Sequence, residues 1–166
     1  MKTKYKAYLG IGANLSITGH ENPKSGCLAA IDRLAQDTGL TVIGVSPWYR
    51  TEPVPVSDQP WFYNAVVAVE TTLSPEQLIA AIHAVESDMG RIRITRNEAR
   101  VIDIDIVDYD GRINADNPIL PHPRMHERAF VLYPLRDMVR DWVHPVMGKS
   151  VDALIAELDD QNIRPE

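Results

Sequence analysis

Residues Arg100-Val101-Ile102-Asp103-Ile104-Asp105-Ile106-Val107 restrict the fold more than any other stretch of the chain. Ile102, Ile104 and Ile106 alternate with Asp103 and Asp105, a period of two that predicts a strand with one apolar and one polar face. The isoleucines can then bury while the two aspartates project together from the other side, with Cα atoms roughly 7 Å apart. Carboxylates that close need a counter-charge, and a divalent cation bound through oxygen is a common one. Arg91, Arg93, Arg96 and Arg100 lie just upstream. Carboxylates for magnesium beside arginines for phosphate are what phosphoryl transfer asks of a protein. Each piece also has a plainer reading, since D-x-D strands are common and arginine clusters are often solvated faces.

Length and charge narrow the partners. At 166 residues the chain is expected to form a single domain, 1–166, with a sizeable core. A net charge of −6 argues against nucleic acid as a partner, so the arginine cluster is local and suited to a small anion. The single cysteine, Cys27, excludes an internal disulfide and a multi-cysteine zinc site, and its place in a predicted helix suggests a buried thiol. No apolar run is long enough for a signal peptide or a membrane span, so cytoplasmic location without membrane attachment is expected. A monomer is expected rather than an oligomer.

Taken in order, residues 4–12 predict a first strand ending in Gly10-Ile11-Gly12, which reads as a tight turn; the spacing is not that of a dinucleotide fingerprint. Asn22-Pro23 opens a helix that Gly39 closes. Residues 40–50 predict a second strand, residues 51–60 a proline-rich loop of the kind that often carries function, and residues 61–71 a third strand. Asn64 is the polar residue in that apolar run, readable as a structural amide or as a ligand contact. Ser74 and Gln77 form a capping box for a helix ended by Gly90, with His83 and Glu86 on a stripe that reads as solvated. After the acidic strand, Asp108-Tyr109-Asp110-Gly111 signals a hairpin turn.

His122, Arg124, His126 and Arg128 crowd together between prolines and a helical segment. No further His or Cys ligands stand nearby, so anion binding by His122, Arg124 and Arg128 fits better than zinc. Pro134 is expected to interrupt the helix that follows, Ser150 to cap a last helix, and residues 159–166 to fray. The order β-α-β-β-α-β predicts an α+β fold with a ferredoxin-like βαββαβ core: a mainly antiparallel sheet with helices packed in α-β-α layers.

Six motifs in order give a resemblance. They are Gly12-Ala13-Asn14-Leu15; Tyr49-Arg50-Thr51-Glu52-Pro53; Gln59-Pro60 with Asn64-Ala65-Val66; Glu86 with Gly90-Arg91-Ile92-Arg93; Arg100 through Asp105; and Pro121 through Leu132. From about Tyr5 to Leu158 the chain resembles the 6-hydroxymethyl-7,8-dihydropterin pyrophosphokinases of folate biosynthesis. The resemblance implies a magnesium-dependent transfer of pyrophosphate from ATP to the pterin's hydroxymethyl oxygen, releasing AMP. It implies that Asp103 and Asp105 hold two magnesium ions and that Arg91 and Arg100 act in catalysis. It places Arg93, His83, Glu86, His122, Arg124 and Arg128 on the nucleotide side. It places Thr51, Val54, Phe62, Asn64 and Phe130 around the pterin, with Phe62 and Phe130 as the stacking rings. The family's usual Trp-Gly-Pro-Arg before the acidic pair is Asn97-Glu98-Ala99-Arg100 here. The readings weighed against this one are another metal-dependent nucleotidyltransferase and a non-catalytic pterin or nucleotide sensor.

Overall fold

The computed structural model describes residues 2–16, 19–53, 55–90 and 102–166. Strands β1 (Tyr5–Ala13), β2 (Thr41–Val45), β3 (Tyr49–Thr51), β4 (Phe62–Thr71), β5 (Asp103–Tyr109) and β6 (Ile163–Pro165) form one six-stranded sheet. Its order is β5-β1-β4-β3-β6, with β2 also paired to β4, and the strand pairs are antiparallel. Helices α1 (Pro23–Thr38) and α2 (Pro75–Asp88) pack on one face, and α3 (Ala129–Met138) and α4 (Val151–Ala156) on the other. This is the expected α-β-α sandwich on a ferredoxin-like core. Among the described residues no helix is long and apolar enough to cross a membrane.

The helix ends follow their sequence signals. Asn22 and Ser74 each accept a bond from the backbone three residues on, and each box is closed by the reciprocal side chain, Ser25 or Gln77. Gly39 and Gly90 take the positive φ values, 72° and 92°, that let the chain leave a helix. The alternation of β5 is also as predicted. Ile102, Ile104 and Ile106 are buried beneath α1 and α2 with Leu9, Ile11 and Val67, while Asp103 and Asp105 are half-buried on the opposite face.

Five expectations need correction. The second strand is two, because Pro47 has no N–H to donate; at this break the Ser46 hydroxyl accepts the Val66 N–H at 2.9 Å. The Gly10-Gly12 segment is no turn, since β1 runs through it to Ala13. The Asp110-Gly111 turn forms, with φ of 52° and 66°, but the chain beyond it makes only an isolated bridge between Asn114 and Leu120 instead of a hairpin strand. Pro134 lies inside α3 without ending it: buried packing of Val131, Leu132 and Leu135 outweighs the lost hydrogen bond. The C-terminal tail is not frayed. Residues 163–165 pair with β3, the Glu166 N–H donates to the Trp48 carbonyl at 3.0 Å, and Lys24 meets the Glu166 carboxylate at 2.9 Å.

Candidate active site

The two faces of the sheet differ in what covers them. On the α3/α4 face, Tyr8, Val66, Ala68 and Val107 are sealed by Leu132, Leu135, Trp142 and Leu154. Farther along the same face the register places Asp105 beside Gly10, and Asp103 beside Gly12 beside Asn64 beside Tyr49. Side chains directly opposite on antiparallel strands share a face, so these residues form a row across four strands; the stretch from Asp103 to Asn64 lies at the uncovered end, while Tyr49 is buried under α3 with its hydroxyl on Asp137. A cavity of about 690 Å³ opens there, lined among others by Gly12, Thr51, Phe62, Asn64, Asp103, Arg128 and Phe130.

Local chemistry fixes the row. The Thr51 hydroxyl donates to Asn64 Oδ1 at 2.6 Å, and both side chains are buried. That bond points Asn64 Nδ2 toward Gly12, where a Cβ would stand only 2.3 Å from it. Glycine at this position therefore makes room for the amide. Asn14, at the end of β1, donates to Gln59 Oε1 at 3.1 Å and to the Pro60 carbonyl at 3.0 Å, anchoring the proline-rich loop. That loop contributes Glu52, Pro53, Pro55 and Val56 to the cavity wall.

At the Asp105 end of the row His122 lies with Nε2 3.9 Å from Asp105 Oδ2. Its Nδ1 accepts the Arg124 N–H at 3.2 Å, so the proton of the neutral ring sits on Nε2, facing Asp105. Burial above all, then the Arg128 and Arg124 guanidiniums, against an opposing pull from Asp103, push the His122 pKa down to about 4. The ring is thus a neutral donor near pH 7. His126, four residues on, turns elsewhere and packs edge-on against His144. Arg124 and Arg128 both reach the cavity, from the 3-10 turn Met125–Glu127 and from the start of α3. The Arg128 guanidinium stacks 5.4 Å from the centre of the Phe130 ring.

The structure thus brings together Thr51, Phe62, Asn64, Asp103, Arg124, Arg128 and Phe130 on one cavity, with Asp105 and His122 beside it. Glu86 corrects the solvated-stripe expectation: it is buried and accepts the Ile104 N–H at 2.9 Å, binding α2 to β5 between the two aspartates. His83, three residues away, is exposed on α2 and does not line the cavity. Arg91, Arg93, Arg100 and Val54 lie outside the described residues. Among the described residues no three or more His, Cys, Asp or Glu side chains cluster as a metal site. Sequence reasoning missed the far wall, Asp159 to Asn162, and Glu127. A polar tail without periodicity carries no signal of where it docks.

The family profile "7,8-dihydro-6-hydroxymethylpterin-pyrophosphokinase (HPPK)" matches residues 8–140. A 2-amino-4-hydroxy-6-hydroxymethyldihydropteridine pyrophosphokinase of Methylorubrum extorquens is 39% identical, over 95% of this chain and 96% of its own length. The Pneumocystis carinii folic acid synthesis protein fol1 is 40% identical over 95% of this chain, which spans only 21% of that longer protein. A crystal structure of Plasmodium falciparum HPPK-DHPS with pteroate shares the fold, with a TM-score of 0.69 at 16% identity, over 95% of this chain and 43% of that one. The chain belongs to the 7,8-dihydro-6-hydroxymethylpterin-pyrophosphokinase family, transferases of folate biosynthesis that move a pyrophosphoryl group from ATP to hydroxymethyldihydropterin.

Proposed function

We propose that the open end of the sheet holds both substrates, with the pterin in the cavity and the ATP phosphates over Asp103 and Asp105. The observation that carries this is the row Asp103–Gly12–Asn64, which sets a carboxylate and an oriented amide on adjacent strands of one face. Asn64 Nδ2 and the pterin's polar edge are complementary, and Phe62 and Phe130 offer apolar ring faces for a flat heterocycle. Asp103 and Asp105 suit magnesium, which takes one or two carboxylates and completes its shell with water and substrate phosphate. Two magnesium ions bound there would neutralise phosphate charge and favour ionisation of the attacking hydroxyl.

The chain's own groups do the rest. His122 Nε2–H, held in its neutral tautomer, donates to a phosphate oxygen near Asp105. Arg124 and Arg128 meet anionic oxygens with charge-assisted bonds. Arg91, Arg93 and Arg100 supply further positive charge where it builds on the transferred group and on departing AMP. Burying the pterin between rings fixes its hydroxymethyl oxygen for in-line attack, so orientation contributes alongside electrostatics.

The test is AMP release from ATP with 6-hydroxymethyl-7,8-dihydropterin across a magnesium titration. Turnover that rises with magnesium and disappears with a chelator is the expected result. Tight binding of both ligands without AMP release would mean a sensor, and turnover indifferent to divalent ions would remove the metal from Asp103 and Asp105.

A further inference from the structure

The geometry points to Gln161 as a positioning residue for the reaction, a clamp from the C-terminal tail that sets Arg128 and Phe130 against the cavity. This rests on the cavity being the pterin site. Helix α3 begins without a capping side chain of its own, because its N-cap residue, Arg128, makes no side-chain cap bond. The missing partner comes from 32 residues away: Gln161 Oε1 accepts the Ala129 N–H at 3.0 Å. Its Nε2 donates to the Glu127 carbonyl at 2.9 Å. One amide thus holds the peptide groups on both sides of Arg128, much as a neighbouring strand would.

Those two bonds act on the residues that face the cavity. Arg128 lies between them, and Phe130 is the next residue into the helix, with the Arg128 guanidinium on its ring. The tail carrying Gln161 is itself fixed from the opposite wall. The Glu52 N–H donates to the Asn162 carbonyl at 3.0 Å, Asn162 Nδ2 donates to Glu52 Oε1 at 3.1 Å, and β6 pairs with β3 immediately beyond. Glu52 follows Thr51, the residue that orients Asn64. The tail therefore spans the cavity mouth from the amide side to the ring side and sets the distance between them. A side chain held within fractions of an ångström by such outer contacts is what a preorganised site requires.

The experiment is a double-mutant cycle read by calorimetry, titrating 6-hydroxymethyl-7,8-dihydropterin into protein with magnesium and a non-hydrolysable ATP analogue. Gln161→Ala is expected to weaken pterin binding roughly tenfold through the lost orientation of the ring. Affinity for the ATP analogue alone should fall less than pterin affinity, through the loosened Arg128, and the melting temperature should drop by a few degrees at most, for the lost helix cap. Phe130→Ala should weaken pterin binding too, and Gln161→Ala should add little on the Phe130→Ala background, because the clamp acts through the ring. Gln161→Glu keeps the size and the acceptor but sets an oxygen against the Glu127 carbonyl; it should fold and lose affinity as Gln161→Ala does. Unchanged pterin affinity in both Gln161 variants, or losses fully additive with Phe130→Ala, would overturn the clamp alone. No loss from Phe130→Ala would overturn the pterin site and the clamp with it.

Discussion

Consecutive residues of β5 face two different worlds. Ile104 is fully buried between the sheet and helices α1 and α2. Asp103 and Asp105 face the other layer, which α3 and α4 cover at one end and leave open at the other. The backbone is the same, and the register with β1 is the same. What differs is the partner across the strand. Ile104 meets Ile11, whereas the aspartates meet Gly10 and Gly12. Side chains close one layer; their omission opens the other, and the polar groups gather where the apolar cover ends.

Substitutions one residue apart should separate these roles. Asp103→Ala is expected to lower kcat roughly a thousandfold or more, the several kcal/mol that charge stabilisation by a metal is worth. Its melting temperature should hold or rise, since one of two like charges is gone. Ile104→Ala should do the reverse, costing about 2–5 kcal/mol of stability through the cavity it leaves. Steady-state kinetics and denaturant melts on the pair read both axes. Near-parent kinetics for Asp103→Ala would end the metal assignment.

The open layer can be probed more finely along its row. Asn64→Ala should weaken pterin binding by about 1–3 kcal/mol while ATP affinity holds, because a buried polar edge loses its partner. Gly12→Ala should mimic this at about 1–2 kcal/mol, since its Cβ would displace the amide from 2.3 Å away. Calorimetry with each ligand separately checks both. Equal losses for pterin and nucleotide would make Asn64 a structural amide.

The closed layer offers the smallest effect. Burial, and secondarily the Asp103 charge, push the Cys27 thiol up from its ordinary 9.0 to about 12. At pH 8 only about one thiol in ten thousand is then ionised, so native protein should resist iodoacetamide and label on unfolding. The sign of the linkage follows: the folded state holds its proton more tightly. This contribution to stability is therefore intact below about pH 9 and declines between pH 9 and 12. Rapid native labelling would show that the layer is not closed.

Much of this architecture was legible from local patterns. The alternation at residues 102–106, the two capping boxes and the helix-ending Gly39 and Gly90 each depend on contacts within a few residues, so sequence alone determined them. Asp103, Phe62, Asn64 and Phe130 were legible as residue types within motifs that come in order, and the structure lines all four along one cavity. Tertiary structure decided the rest. Glu86 looked solvated because helical phase cannot reveal that β5 would present an N–H to it. Gly12 looked like a turn because its role is to yield space to an amide on another strand. Gln161 and Asn162 carried no signal, since their partners lie 32 to 110 residues away. Local sequence fixes which face a side chain takes along its own element; which groups meet across elements is set only when loops close and registers lock, at a cost in chain entropy that no local pattern records.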